Sequence, residues 1–368
     1  MEDLFGFMDD FGPAKILHIS LCQAGLKAIV VIDNTACGPA VGGLRMAPDV
    51  SAEEACRLAR AMTLKNAAAG LPHGGGKSVI FGDPRMPLRD KEHLIRAFAR
   101  AIADLKDYIP GPDMGTNELA MGWMHDEIGR AVGLPREVGG IPLDELGATG
   151  FGLAAAVDVG ANAIALDLKS AKVAVQGFGA VGKHAARFLA QKGCVLVAAS
   201  DRRGTVSCPA GLDVAGLIAL KETDQSVTDF PHGTKAGTDA IIDIPCDIWI
   251  PAARPDVLSK DNAGRLKTKI IAEGANIPCT TEAEAILESR GVLILPDFVV
   301  NAGGVICAVT EFHGGNETTA FLSIDEKIRR NTALSIDKAR GEGISMREAA
   351  MGLATERIWN AQRTRRWK

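Results

Sequence analysis

Four short stretches of this 368-residue chain hold residue types able to do chemistry. Lys77 closes the run Gly74-Gly-Gly-Lys77-Ser78, where small neighbours let a substrate come close and where partial burial would lower the amine's pKa toward neutrality. A lysine so placed can serve as a base. Lys65, beside Thr63 and Asn66, is a second cation, although by composition alone it reads as a solvated helix charge. Asp113 lies in the loop Gly111-Pro-Asp-Met-Gly-Thr, where proline and glycine constrain the backbone; loop carboxylates are common, so spacing alone does not make it catalytic. The fourth stretch is Gly177-Phe178-Gly179-Ala180-Val181-Gly182. Its first glycine permits a tight turn, its second lets a pyrophosphate approach the backbone, and its third lets a helix pack on the preceding strand.

The run ending at Lys77 is not a nucleotide-triphosphate loop. That motif needs a glycine where Leu71 stands and a helix afterwards, whereas Ser78-Val-Ile-Phe has strand character.

The elements that must position these groups follow from periodicity and punctuation. Leu26 to Asp33 is expected as a strand, and Ser51-Ala-Glu-Glu carries the Ser-x-x-Glu signature of a helix start. That helix delivers Lys65 and Asn66 near its end. Gly70 to Gly76 is expected as a turn, followed by a short strand from Ser78 and a helix through Leu94, Ile95 and Phe98. Proline and glycine from Gly133 to Gly147 mark a hinge before a small-residue helix, Phe151 to Ala165. Then Lys172 to Gln176 reads as a buried strand, Lys183 to Lys192 as a helix and Cys194 to Ala199 as the next strand. Apolar runs at Ile248-Trp-Ile, Lys269-Ile-Ile-Ala and Val292-Leu-Ile-Leu supply further parallel strands. The glycine turn at 177 therefore sits between strand and helix, the context that dinucleotide binding requires, and the expected architecture is α/β in both halves.

The residue that meets the ribose should fall roughly twenty positions after the first glycine. Ser200 and Asp201 occupy that place; Asp201 would favour NAD, while Arg202 and Arg203 follow at once and would suit the 2'-phosphate of NADP. An exposed charged turn explains the same residues. NAD is the expectation, with NADP left open.

The length suits two domains, and a net charge of −4 with 23% charged residues carries no polyanion-binding signature, so nucleic acid is not an expected partner. No secretory leader is read at Met-Glu-Asp-Leu-Phe-Gly and no apolar run is long enough for a bilayer, which makes a cytoplasmic location the default. The eight cysteines lack paired metal-ligand spacing and read as reduced thiols; no metal is expected.

Taken together and in order, Gly38-Pro-Ala-Val-Gly-Gly-Leu-Arg45, Met62-Thr-Leu-Lys65-Asn-Ala-Ala-Ala-Gly70, Gly74-Gly-Gly-Lys77, Asp113-Met-Gly-Thr116, Gly147-Ala-Thr149-Gly, the glycine turn, Ala272-Glu-Gly-Ala-Asn276 and Asn301-Ala-Gly-Gly-Val305 resemble the glutamate/leucine/phenylalanine/valine dehydrogenase family. The resemblance spans nearly the whole chain. It implies a substrate-binding and oligomerisation domain over 1–143, a Rossmann-type NAD(P)-binding domain over 144–334 closing over a cleft, and C-terminal helices within 335–368 packing back on the first domain. It further implies a homo-oligomer that interconverts an L-amino acid with its 2-oxo acid and ammonia. By the same resemblance Lys65 would bind the substrate α-carboxylate, Lys77 would activate water and Asp113 would shuttle the proton on nitrogen. Thr149 would contact the nicotinamide amide and Asn301 would help orient substrate or nicotinamide, with Gly42, Gly43 and Asn276 beside them.

Glutamate-specific members of that family resemble one another in a lysine just before Gly-Gly-Leu-Arg and a serine downstream of Asn-Ala-Gly-Gly-Val. Here Val41 and Ala308 stand at those places. Neither side chain donates a hydrogen bond, so an apolar substrate of the leucine, valine or phenylalanine kind is the expectation. Glutamate dehydrogenase is the alternative, and a non-catalytic nucleotide-sensing relative is the alternative of another class.

Overall fold

The computed structural model describes residues 6–365. Met1 to Phe5, most of the stretch read above for a leader, lie outside the described residues, as do the last three residues of the expected C-terminal helical segment. Two compact units emerge: one takes the chain up to Pro142 with Val305–Ala320 and the chain from Met351 on, the other Leu143–Gly304 with Phe321–Ala350. Residues 335–350 thus group with the second unit, not the first. Arg347 is one reason, because its guanidinium bonds Glu273, Glu284 and Asp297 of that unit.

The first unit holds β1 (Lys15–Leu21), β2 (Leu26–Asn34), β3 (Ala40–Ala47), α1 (Ala52–Ala68), β4 (Gly74–Phe81), α2 (Leu88–Ala101), β5 (Tyr108–Pro112) and α3 (Glu118–Ile128). Its sheet runs β1-β2-β4-β3-β5. The β1, β2 and β4 pairings are antiparallel, and β3 is parallel to both β4 and β5. Both faces of β2 are covered, which explains its unbroken apolar run: Ala28, Val30 and Ile32 join the cluster with Ile95, Phe98 and Met121, while Ile29 and Val31 join Ala55 and Ala59 of α1.

The stretch Gly70 to Gly76, expected as a turn, is one only in part: Gly74 to Gly76 begin β4, while Gly42 and Gly43 lie in β3. The glycines answer to packing: a Cβ at Gly75 would stand 2.0 Å from the backbone nitrogen of Thr63, so β4 can lie directly on α1 only without a side chain there.

The second unit holds α4 (Leu143–Leu146), α5 (Ala148–Ala163), β6 (Lys172–Gln176), α6 (Ala180–Gln191), β7 (Val195–Asp201), β8 (Gly204–Ser207), α7 (Val214–Glu222), β9 (Thr234–Ala236), β10 (Ile248–Pro251), β11 (Ile270–Ala272), α8 (Thr281–Ser289), β12 (Leu293–Leu295) and α9 (Asp297–Val300). Three more helices follow, α10 (Gly303–Phe312), α11 (Glu317–Glu342) and α12 (Met346–Arg363). The sheet order is β12-β11-β10-β6-β7-β8-β9. Strands β12 through β7 are parallel, as a Rossmann-type sheet requires; β8 and β9 form an antiparallel edge that periodicity did not reveal, being four and three residues long. No helix among the described residues is long and apolar enough to cross a membrane.

Candidate active site

Alternation along β4 sets the first half of the site. Gly75 faces α1, so Lys77, two residues on, faces the same way. Only 5% of Lys77 is exposed, and its Nζ lies 2.7 Å from Oδ2 of Asp113. Asp113 follows β5 directly and is held by Thr116: the Asp113 N–H donates to the Thr116 hydroxyl at 3.0 Å, and that hydroxyl donates to the carbonyl of Leu44 at 2.7 Å. The two residues singled out from sequence are therefore in direct contact.

Two further members of this cluster were not anticipated. Arg45 Nε donates to the same Asp113 Oδ2 at 2.9 Å, and its other nitrogen pairs with Glu54 in the first turn of α1. Arg45 was visible as the end of the Gly-Gly-Leu-Arg run, two residues past Gly43 on a strand of period two. Glu54 was read only as a helix-start signal. Its N–H does donate to Ser51 Oγ at 3.1 Å, but its carboxylate turns to Arg45. The result is a chain of alternating charge, Lys77, Asp113, Arg45, Glu54.

Burial pushes the Lys77 amine below its ordinary range; the Asp113 carboxylate opposes that, and the Arg45 cation reinforces it. Burial would raise Asp113, but Lys77 and Arg45 outweigh it and hold the carboxyl below its usual range. Two cations thus share one carboxylate, which loosens its hold on the lysine proton.

Space beside this pair is kept by Gly43, where a Cβ would stand 2.7 Å from Cβ of Asp113 and 3.2 Å from Lys77 Nζ. Gly42 offers its carbonyl to the hydroxyl of Tyr108 at 3.0 Å. Lys65 lies half-buried in the last turn of α1. Its neighbour Asn66 is fully buried and donates to the carbonyls of Gly74 at 2.7 Å and Val41 at 3.3 Å, fixing α1 against β3 and β4. Val41 and Ala308 are both buried in the first unit. Ala308 rides on α10, which Glu311 anchors by accepting the N–H groups of Gly133, Leu134 and Ile141 at 2.9, 3.1 and 2.7 Å.

The second unit presents the glycine turn as expected, although α6 begins at Ala180, three residues earlier than periodicity suggested. The N–H groups of its first turn, Ala180 to Gly182, have no helical carbonyl to serve and suit an anion. A Cβ at Gly179 would meet nothing within 4 Å, whereas one at Gly182 would strike the carbonyl of Gly177 at 2.1 Å; the second glycine leaves room for a ligand and the third permits close packing. Phe178 is 1% exposed and its N–H donates to the Ser200 carbonyl at 2.8 Å, which fixes the turn against the end of β7 while the residue still lines the cavity there. A cavity of about 660 Å³ opens here, lined by Gly177, Gly179, Ser200, Asp201, Arg202 and Arg254 among others. The turn and the end of β7 therefore meet as the dinucleotide reading requires, and the residues fit such a cofactor. Asn301 donates to Oδ1 of Asn276 at 3.0 Å, so these two are also together, and Oγ1 of Thr149 lies 3.1 Å from where a Cβ of Gly304 would stand.

Comparison with known proteins agrees with this arrangement. The family model described as the Glu/Leu/Phe/Val dehydrogenase dimerisation domain matches residues 13–130, and that of Glutamate/Leucine/Phenylalanine/Valine dehydrogenase matches 139–366. A glutamate dehydrogenase of Aeropyrum pernix is 38% identical, covering 91% of this chain and 85% of its own. An NADP(+)-dependent glutamate dehydrogenase of Pyrobaculum calidifontis is 36% identical, covering 99% and 95%. The crystal structure of L-tryptophan dehydrogenase from Nostoc punctiforme superposes with a TM-score of 0.76 at 28% identity, over 96% of this chain and 98% of that one. With both family models matched in order across nearly all of its length, the chain belongs to the glutamate/leucine/phenylalanine/valine dehydrogenase family.

Proposed function

We propose that this protein catalyses the reversible NAD(P)-dependent oxidative deamination of an L-amino acid to its 2-oxo acid and ammonia, with Lys77 as base and Asp113 as proton shuttle. The observation that carries this reading is the buried Lys77–Asp113 contact of 2.7 Å, opened to a ligand by Gly43 and shared with Arg45. NAD(P), when bound, accepts or returns the hydride of the substrate Cα. Loss of that hydride leaves an iminium carbon. Lys77, whose neutral form burial favours, takes a proton in that form from the water that attacks this carbon. Asp113 then relays that proton from Lys77 onto the departing nitrogen, and the carbinolamine collapses to ammonia and the oxo acid as its hydroxyl proton returns to Lys77. Lys65 is assigned to the substrate α-carboxylate, where a compact cation suits a point anion.

A non-catalytic sensor would have no use for a base and a carboxylate held together at such burial. The dimerisation description of the matched first model supports a homo-oligomer.

On the side chain, the named relatives weigh toward glutamate. In that case a cation from another position must meet the γ-carboxylate, since position 41 is a valine. A second reading, an apolar side chain, is favoured by Val41 and Ala308, both buried and neither able to donate a hydrogen bond, and by the likeness to a tryptophan dehydrogenase. The test is reduction of NAD and of NADP by the purified protein with glutamate, leucine, valine, phenylalanine and tryptophan, repeated with Lys77→Ala. The reading expects amino-acid-dependent reduction that falls at least about a hundredfold in the variant while cofactor binding persists. Reduction with none of the five, or a variant near wild type, overturns it; the amino acid with the highest kcat/KM decides between the side-chain classes.

A further inference from the structure

We propose that the cavity at the end of β7 is built for the 2'-phosphate of NADP, with Arg202 as its principal ligand, and that Asp201 anchors the cavity wall instead of receiving a ribose hydroxyl. This rests on the dinucleotide reading of the Gly177 turn and makes it specific.

Asp201 stands where an NAD-binding carboxylate would, yet both of its oxygens are engaged. Oδ1 accepts the N–H of Arg203 at 3.0 Å and the hydroxyl of Ser226 at 2.8 Å; Oδ2 accepts the ammonium of Lys221 at 3.0 Å and the N–H of Val227 at 3.0 Å. An ionised carboxylate offers about four lone-pair positions, so none is left for a ribose diol. Only 11% of the side chain is exposed. Burial acting alone would raise its pKa, but the Arg203 and Val227 N–H groups with Lys221 and Ser226 hold it down at about 2, which marks a permanently charged strut. The strut ties the end of β7 to α7 and to the turn at Ser226, three pieces of the cavity wall.

The groups left facing the cavity are basic. Arg202 and Arg254 line it, are exposed, and have no hydrogen-bond or ion-pair partner among the described residues. Lys221 gives one donor to Asp201 and keeps two. Arg203 also lines the wall but is held by Asp229 through two hydrogen bonds. On the acidic side are Asp224 and Asp239, the latter within the field of Arg265. With Asp201 saturated, the group next in sequence to the ribose position is a free guanidinium, whose planar fork matches phosphate oxygens.

Calorimetric titration with adenosine 2',5'-bisphosphate and with 5'-AMP, which differ only by the 2'-phosphate, tests this without turnover. The protein is expected to bind the bisphosphate at least about tenfold more tightly, and Arg202→Ala is expected to bring the two ligands to within about threefold. Asp201→Asn, checked for wild-type circular dichroism, is expected to keep the preference for the bisphosphate. Equal or tighter binding of 5'-AMP by the unmodified protein overturns the proposal and leaves the dehydrogenase reading standing. An unchanged ratio in Arg202→Ala overturns the assignment to that residue. Failure of both nucleotides to bind overturns the proposal together with the cofactor site on which it rests.

Discussion

Asp113→Asn is the sharpest test of the charge chain, because one oxygen of Asp113 serves both Lys77 and Arg45. At the 2.7 Å separation and an effective dielectric of about 20, the attraction between the lysine and the carboxylate is about 6 kcal/mol. The Asp113 side chain is 26% exposed, so water screens the pair, and discounting by two thirds leaves about 2 kcal/mol. Removing the anion withdraws the carboxylate that favours the ammonium at hydrogen-bond range, while burial and Arg45 continue to oppose it. The pKa of Lys77 therefore falls, and its neutral form extends to lower pH. In a profile of kcat/KM for oxidative deamination from neutral to alkaline pH, the acidic limb of Asp113→Asn should move to lower pH. Its plateau should drop by about 100- to 10,000-fold, since the proton shuttle is gone. A limb that moves to higher pH, or a plateau within about tenfold of wild type, refutes the coupling.

Three further outcomes follow from the packing. Val41→Lys with Ala308→Ser should raise kcat/KM for glutamate relative to leucine, because the pair supplies donors where the chain has none; no change in that ratio removes both residues from the side-chain pocket. Gly42→Ala puts a Cβ 1.7 Å from the carbonyl of Gly76 and should lower stability to urea by about 1 to 3 kcal/mol, whereas Gly43→Ala crowds Asp113 and Lys77 and should lower turnover far more than stability. Equal urea midpoints for wild type and Gly42→Ala contradict this. Arg347→Met leaves Glu273, Glu284 and Asp297 without their shared cation and should destabilise the second unit by about 3 to 5 kcal/mol, seen as an earlier thermal transition. A transition at the wild-type temperature would mean that the three carboxylates find other partners.

Much of the molecule was legible from residue order. The α/β character, the buried strand at Lys172–Gln176, the phosphate-type turn after it and the family itself follow from local pattern, because periodicity and turn chemistry act over a few residues. Lys77 and Asp113 stood out as candidates through the motifs around them, and the fold brings the two into contact. Element limits were less legible where glycine was involved. The run at Gly74–Gly76 carries the same letters whether it turns or packs flat, and neighbours distant in sequence, Asn34 at Gly74, Thr63 at Gly75 and Tyr108 at Gly76, decide which.

Partnership was the larger gap. Sequence favoured Asp201 at the ribose and left Arg202 and Arg203 open for a 2'-phosphate; the fold brings Lys221, Ser226 and Val227 onto the carboxylate and so leaves Arg202 as the available group. Arg45 and Glu54 likewise joined the site only when β3, β5 and α1 met. Sequence by itself determined which residue types were present and in what local conformation. Tertiary structure decided which charges were already satisfied, because a Coulomb contact depends on distances of a few ångströms between positions that the chain separates by tens of residues.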